Sequence, residues 1–276
     1  MTNHNAVLQQ PVKDTMMYPP CVVLHIPHDS KIIPDSVRDQ FLLGDDELDL
    51  ELSRITDHHT FDLFAGTGAQ IVRASVSRLV VDVERFRDDV DEPMSRKGMG
   101  AVYTATSQMT PLRRTLRPEE REDLMRNYYD PHHRRLETVV DNAIDAHGRC
   151  LVVDCHSFPD HPLPYEQTTS SAVRPDVCIG TDDFHTEESL GSAFINEFRN
   201  AGFTVAVNTP FAGALVPGSR YRIDRRVQTI MVEINRRLYL QDGGIRTKFE
   251  FYSIARQVRT RCVKAVQRFC RNRWRV

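Results

Sequence analysis

The sequence lacks the features that mark membrane-spanning and secreted proteins. No stretch of its 276 residues approaches the roughly 18 consecutive apolar residues that a membrane-spanning helix needs. The first twenty residues show no charged start followed by an apolar segment, which is the pattern of a secretory signal. We therefore expect a protein of the cytoplasm that has no membrane partner.

An excess of charge of one sign is also missing. Lys and Arg together number 36 and Asp and Glu number 38, which gives a formal net charge of −2. Proteins that bind nucleic acids or anionic membrane surfaces usually carry a clear basic excess. The composition therefore gives no support for a nucleic-acid partner, and it leaves the oligomeric state open.

The six cysteines form no C-x-x-C pair, so they do not show the spacing of a structural zinc site or a redox motif. Several of them lie in or beside apolar runs, where a thiol behaves as a small buried hydrophobe. We expect reduced structural cysteines, as in cytoplasmic proteins. Cys155, next to His156, remains an alternative as a nucleophile.

Apolar runs alternate with helical patterns along the chain. Strand-like runs occupy residues 21–26, 71–74, 79–83, 150–154, 177–180, 204–207 and 227–234. Helical patterns occupy 45–64, 118–146, 187–200 and 247–271, and residues 86–117 are predicted to form a long loop. This alternation is typical of a single α/β domain whose sheet is mostly parallel or mixed, with helices on both faces. We predict a loose lead-in over 1–20 and one domain over 21–276.

Three predicted strands lead into residues that could carry chemistry. In such sheets, ligands bind beyond the carboxyl ends of the strands. The first strand leads to His28, the fourth to His156 and a late one to Glu233. Two histidines and a carboxylate are the side chains that a catalytic zinc site uses. Asp154 could orient His156, although neighbouring residues of a strand face opposite ways. His25 is expected to face the core.

A third metal ligand is expected from the predicted helix over 45–64. That segment offers Glu51, Asp57, His58 and His59, and its residues alone do not decide among them. A solvent-facing polar helix surface is an equal alternative.

Arg78 and Arg85 bracket the strand predicted at 79–83. A guanidinium group binds a carboxylate with two parallel hydrogen bonds, so an anionic amino-acid substrate would need such a residue. The alternative is that both are ordinary surface arginines.

Six sequence blocks resemble the N-formylglutamate amidohydrolase family and follow its order. They are IPHDS (26–30), TDHHTFDLF (56–64), SRLVVDVER (77–85), DCHSFP (154–159), NTPFAG (208–213) and MVEINRRLYL (231–240). The resemblance implies a phosphorylase/hydrolase-like α/β fold, related to that of the zinc carboxypeptidases and zinc-dependent cell-wall amidases. It implies one Zn²⁺ per chain, held by His28, Asp57 and His156, with Glu233 as the catalytic base.

The resemblance also implies residues that bind the substrate. Arg78 and Arg85 are carried over as carboxylate ligands, His133 stands where the family has Pro-x-His, and Arg222 lies in the loop before the strand of Glu233. The family's Asp-x-Asn-Arg motif reads Asp82-Val83-Glu84-Arg85 here. We expect Glu84 to repel an anionic substrate unless it pairs with Arg78 or Arg85.

The implied reaction is the hydrolysis of N-formyl-L-glutamate, a small acidic N-acyl amino acid, to formate and L-glutamate at the end of histidine breakdown. A zinc amidohydrolase for another N-acyl amino acid or a peptidoglycan-type amide is the alternative within enzymes. A non-catalytic ligand-binding relative is the alternative outside them.

Overall fold

A six-stranded mixed sheet forms the centre of the protein, seen in a computed structural model that describes residues 17–66, 68–166, 173–241 and 246–273. The strands are β1 (Val22–Ile26), β2 (Gln70–Arg73), β3 (Cys150–Phe158), β4 (Val177–Gly180), β5 (Val205–Val207) and β6 (Val227–Asn235). Their order is β2-β1-β3-β6-β4-β5. The first four strands of this order are parallel, whereas β4 runs antiparallel to β6 and parallel to β5. The mixed α/β sheet confirms the predicted fold class.

The helices separate and follow these strands. They are α1 (Asp35–Arg38), α2 (Asp45–Ile55), α3 (Thr60–Phe64), α4 (Pro118–Leu124), α5 (Asp130–His147), α6 (Glu188–Asn200) and α7 (Phe251–Arg273). A π-helical turn, Met125–Tyr129, joins α4 to α5. This joined segment confirms the helix predicted over 118–146, which ends at Gly148 with φ of 72°. Among the residues described, no helix is both long and apolar enough to span a membrane.

Alternate side chains of the central strands pack on opposite faces of the sheet, as extended backbone requires. One face carries Leu24, Val153 and Val232, and it is covered by α3, α6 and α7. The other face carries Val23 and Val152, which pack against α5. The helices therefore lie on both faces, as predicted.

The strand predicted at 79–83 is wrong. Leu79, Val80 and Val81 are buried in a third apolar cluster, which is built from α1, α2, the end of α4, the π-helical turn and irregular chain. The carbonyl oxygens of Leu79 and Val80 accept hydrogen bonds from the Arg113 guanidinium instead of from a neighbouring strand. A buried apolar run has the same sequence pattern whether its backbone hydrogen-bonds to a neighbouring strand or to a side chain.

The single helix predicted over 45–64 is also wrong, because the chain breaks between α2 and α3. Thr56 ends α2 with extended backbone, and His59 is left-handed with φ of 63°. In this break the Asp57 N–H donates to the carbonyl of His28, with N and O 2.9 Å apart. The break therefore places Asp57 beside the end of β1.

The predicted lead-in over 1–20 lies largely outside the described residues. Of its last four residues, Tyr18 is buried and packs into the apolar cluster on the α7 side of the sheet. The division of the chain at residue 20 stays a prediction.

Substitution of Gly180 tests whether the loop over 208–213 packs closely against the sheet. A methyl group at this position would overlap the carbonyl oxygen of Gly213 and the side chain of Met231. We expect Gly180→Ala to lower the free energy of unfolding by about 1–3 kcal/mol, because the overlap forces backbone to move. Gly218→Ala meets no atom within 4 Å and should change it by less than about 0.5 kcal/mol. Urea denaturation of both variants measures the difference, and equal stabilities would refute the close approach.

Candidate active site

The strand register collects a row of polar side chains on the face of the sheet that α5 partly covers. His25 of β1 pairs with Asp154 of β3, and His156 of β3 pairs with Glu233 of β6. Asp154 and His156 are two residues apart, so both point to the same face. The expected separation of these two side chains by strand geometry is therefore wrong.

His28, Asp57 and His156 each bring one ligand atom into a group whose atoms all lie within 4.8 Å of one another. Asp57 Oδ2 lies 3.0 Å from His156 Nδ1 and 3.7 Å from His28 Nδ1. All three side chains are buried, and His28 Nδ1 has no hydrogen-bond partner within the described part of the chain. Two imidazole nitrogens and a carboxylate oxygen are common zinc ligands, and a buried nitrogen without a partner is costly unless it binds something. The residues present therefore fit a zinc ion.

Two other carboxylates orient the histidine rings of this group. His28 Nε2 lies 2.8 Å from Asp82 Oδ1, and His156 Nε2 lies 3.1 Å from Asp154 Oδ1. A proton on each Nε2 then donates to a carboxylate, which turns the Nδ1 lone pair of each ring towards Asp57. Such an outer carboxylate fixes the tautomer of a metal-binding histidine.

Arg236 forms an ion pair with Asp57, one of the three residues of the candidate ligand group. Its Nη2 donates to Asp57 Oδ1 over 3.0 Å and to the Ser157 carbonyl, and its Nη1 donates to the Arg54 carbonyl. Burial alone would raise the pKa of Asp57, but its close contacts with His156 and His28 hold it well below the usual range. Asp57 is therefore an anion. Sequence reasoning missed Arg236, and its only signal was its position directly after β6.

The other candidates for a third ligand have partners elsewhere. Glu51 accepts hydrogen bonds from the N–H and hydroxyl of Ser107, and His58 Nε2 donates to the Ser53 carbonyl. His59 is partly exposed and packs its ring against Phe251. None of these three belongs to the group of His28, Asp57 and His156.

Glu233 differs from Asp57 although both carboxyl groups are buried beside His156. Its Oε2 has no hydrogen-bond partner among the residues that the structure describes. Burial raises the pKa of Glu233 to about 8, in spite of the opposing effect of His156. A carboxyl group that binds protons near neutral pH is suited to proton transfer.

These residues line one cleft of about 320 Å³, at the small end of the size range of small-molecule sites. Arg78 and Arg85 line it too, as do Arg54 and Lys97, which sequence reasoning did not single out. The Arg78 guanidinium donates to Asp82 Oδ2 over 2.7 Å and to the Tyr103 hydroxyl. Arg85 Nε lies 3.7 Å from Asp82 and makes no hydrogen bond within the described chain. Arg85 is therefore the more available donor for an anion.

Glu84 pairs with neither arginine that the sequence suggested. Its Oε2 lies 3.2 Å from His156 Nε2, and its Oε1 lies 3.5 Å from His25 Nδ1. Burial and the nearby Asp154 raise the pKa of Glu84, but the two histidines outweigh them and bring it to about 2. The condition under which Glu84 was not expected to repel an anion, an ion pair with Arg78 or Arg85, is therefore not met in the described chain.

His25 is buried, as predicted, and it belongs to a polar cluster inside the protein. Its Nδ1 lies 2.8 Å from Asp154 Oδ1, and its Nε2 shares a 2.9 Å hydrogen bond with His132 Nε2. Burial lowers the pKa of His25, but its contacts with Asp154 and Glu84 raise it to about 9. His132 was missed because its place beside β1 depends on how α5 packs.

Two predicted substrate-binding residues lie outside the cleft. His133 Nε2 donates to the Val83 carbonyl over 2.9 Å. The residue lines a second cavity, which Glu84 and Arg85 also line. Arg222 lies in a turn with φ of 55°, and its guanidinium group packs over Tyr221. Neither side chain lines the cleft of the metal-ligand group.

Cys155 points away from the cleft. It lies in the apolar cluster under α7, has no exposed surface, and burial raises the pKa of its thiol far above the usual value. A thiolate nucleophile needs a lowered pKa and access to substrate. The alternative of a cysteine hydrolase is therefore wrong.

Comparisons with known proteins agree with this fold. The family model of N-formylglutamate amidohydrolase matches residues 21–240. An N-formylglutamate deformylase of Pseudomonas putida is 24% identical over 233 residues, which cover 80% of this chain and 82% of that protein.

Two solved structures share the fold. The N-formylglutamate amidohydrolase of Ralstonia eutropha JMP134 superposes with a TM-score of 0.80 at 22% identity, covering 92% of this chain and 96% of that one. A gene product of Agrobacterium tumefaciens gives a TM-score of 0.64 at 20% identity, covering 90% of each chain. At these identities the likenesses establish the fold alone.

The fold and the site define an α/β protein with a buried histidine and carboxylate centre at the carboxyl ends of its parallel strands. With the family model matching most of its length, the chain belongs to the N-formylglutamate amidohydrolase family. It is thus a member of a family of amidohydrolase enzymes. The expected relation in fold to the zinc carboxypeptidases stays a prediction.

The contacts of Arg236 predict a stability difference between two neighbouring arginines. Arg236→Met leaves the Asp57 carboxylate without its guanidinium partner, so it should lower the free energy of unfolding by about 3–5 kcal/mol. Arg237→Met removes half-exposed ion pairs with Asp160 and Asp176 and should cost at most about 1 kcal/mol. Urea denaturation compares the two, and losses of similar size would show that Arg236 does not stabilise the buried centre.

Proposed function

We propose that the chain hydrolyses N-formyl-L-glutamate to formate and L-glutamate with the help of a bound zinc ion. The observation that carries the proposal is the grouping of His28, Asp57 and His156 in one cleft with Glu233, whose Oε2 has no hydrogen-bond partner among the described residues. Membership of the amidohydrolase family supports the reaction type. The names of the matched relatives support the substrate.

His28, Asp57 and His156 are the residues that would hold the zinc ion. The ion would supply Lewis-acid chemistry, which polarises the formyl carbonyl and acidifies water. Asp57 contributes one negative charge, and the two histidines are turned to offer Nδ1 by Asp82 and Asp154. The two rings are therefore already oriented towards Asp57, and a proton would leave His156 when the ion binds, because the nearby carboxylates raise its pKa well above the usual value in spite of burial.

Glu233 would move the proton that the reaction transfers. Hydrolysis breaks the bond between the formyl carbon and the glutamate nitrogen, and water supplies a hydroxyl to the carbon and a proton to the nitrogen. Glu233 takes the proton from the attacking water and delivers it to the departing amine. No nearby donor fixes Glu233 Oε2 within the described part of the chain, so it remains available for both transfers.

The cations of the cleft would hold the two carboxylates of the substrate. Arg85 is the main candidate because its Nε makes no hydrogen bond within the described residues, whereas Arg78 is bonded to Asp82 and Tyr103. Arg54 lines the same cleft from the end of α2. A small dianionic substrate is what such a cleft would select. The reaction would close histidine breakdown in the cytoplasm.

Release of formate from N-formyl-L-glutamate, measured with the metal content of the same sample, tests the proposal. We expect stoichiometric zinc, loss of activity with a chelator and recovery when zinc is returned. A panel of other N-formyl and N-acetyl amino acids tests the substrate separately. Faster turnover of another N-acyl amino acid would keep the chemistry and reject the substrate.

Glu233→Gln should lower kcat by about 10²–10⁴-fold, because the amide cannot accept the proton of water. The variant should keep its zinc, since Glu233 is not in the ligand group. Glu188→Gln, at the exposed start of α6, is the matched control and should turn over like the wild type. A Glu233→Gln enzyme with unchanged kcat would refute the role of Glu233.

Arg85→Met should raise KM about 10–100-fold while kcat changes by only a few-fold, since a hydrogen bond to a charged group contributes about 1.5–3 kcal/mol. Arg87→Met removes a guanidinium that is paired with Glu122 and Asp130 outside the cleft, so its KM should stay the same. Steady-state kinetics with N-formyl-L-glutamate measures both. An unchanged KM in Arg85→Met would remove Arg85 from the substrate site.

A further inference from the structure

We infer that His25, Asp154 and Glu84 form a second metal site, for a divalent cation such as zinc, cobalt or manganese, next to the group of His28, Asp57 and His156. The inference goes beyond the proposed reaction. Only its description as the second of two neighbouring centres rests on that proposal.

The three side chains have the donor atoms and spacing of a metal site. One ligand atom from each lies within 4.8 Å of the others. Asp154 Oδ1 and Glu84 Oε1 lie 2.8 and 3.5 Å from His25 Nδ1. Ligand atoms that surround an ion tetrahedrally at bonds of about 2.1 Å are about 3.4 Å apart from one another. One of the two distances is shorter than this value and the other is slightly longer. A small adjustment of the Asp154 side chain completes the site.

The charge of this cluster distinguishes it from the buried carboxylates around it. Asp57 is paired with Arg236 and Asp82 with Arg78. In the described ranges, no arginine or lysine forms an ion pair with Glu84 or Asp154, whose ionic partners are the rings of His25 and His156.

Two negative charges taken out of water need compensation. Protonated imidazoles or one divalent cation can supply it, and the cation leaves His25 neutral with a free lone pair. Glu84 Oε1 supports the cation, because this buried oxygen makes no hydrogen bond in the described structure and lies near His25 Nδ1.

His156 links the two centres without serving as a ligand of both. Its Nδ1 faces Asp57, and its Nε2 lies 3.1 Å from Asp154 Oδ1 and 3.2 Å from Glu84 Oε2. A proton on Nε2 therefore donates to the carboxylates of the second site, while Nδ1 remains free for the first. A cation bound to those carboxylates would bind at the shared wall of two cavities, since Glu84 lines both and Asp154 lines the second.

Metal stoichiometry tests the inference on the full-length protein. Metal-free protein is titrated with Zn²⁺ and with Co²⁺ by calorimetry, and bound metal is counted by elemental analysis after gel filtration. We expect two equivalents for the wild type. His25→Gln and the isosteric Glu84→Gln should each bind one, and Asp57→Asn should also bind one. Circular dichroism and melting curves establish that each variant is folded.

His133→Gln is the matched control. His133 lines the same second cavity but bonds to the Val83 carbonyl outside the cluster, so this variant should keep two equivalents. One equivalent in the wild type, retained in His25→Gln and lost in Asp57→Asn, overturns the second site and leaves the proposed zinc centre standing.

The reverse distribution of bound metal between the two variants would support the second site and reject the first. One equivalent that is lost in His25→Gln and retained in Asp57→Asn supports the site of His25, Asp154 and Glu84 and rejects the proposed centre of His28, Asp57 and His156. A wild type that binds no metal rejects both.

Discussion

The parallel register of β1, β3 and β6 is the constraint on which the whole candidate site depends. It sets His25 beside Asp154 and His156 beside Glu233, with all four on the same face of the sheet. The intervening residues, such as Val153 and Val232, fill the apolar cluster on the other face. A slip of one residue would bury the polar row in that cluster and expose its apolar neighbours. The hydrophobic core thus specifies the register, and the register assembles the site.

Hydrogen bonding then gives chemically similar groups different states. Burial acts on Asp57 and Glu233 in the same direction, and it would raise the pKa of both carboxyl groups. Asp57 has donors on both oxygens, from Arg236 and from the Ser157 N–H, and remains an anion. Glu233 has no such donor on Oε2 in the described chain and keeps a pKa of about 8. One buried carboxylate is thereby suited to bind a cation and its neighbour to exchange a proton.

Much of this arrangement could be predicted from the sequence, because apolar runs and helical spacing are local signals. The runs at 150–154 and 227–234 give β3 and β6, and the motifs that follow the family order bring His28, Asp57 and His156 into one group. The break that places Asp57 could not be predicted, because helical spacing continues from α2 into α3. Contacts across the fold could not be predicted either, because the contacting residues are far apart in the sequence: Arg236 reaches Asp57, and His132 reaches His25.

Glu84 shows how a correct electrostatic rule can fail when the partner is unknown. A carboxylate beside an anion site needs a cation, and the sequence offered Arg78 and Arg85 as the nearest ones. The turns over 79–83 instead direct Arg78 to Asp82, while Glu84 contacts His25 and His156. Its ionic contacts in the described chain are with these two imidazoles, so Glu84 does not engage Arg85. Glu84 therefore contacts a residue of the candidate metal-ligand group instead of an arginine, and Arg85 lines the cleft with no hydrogen bond at Nε in the described chain.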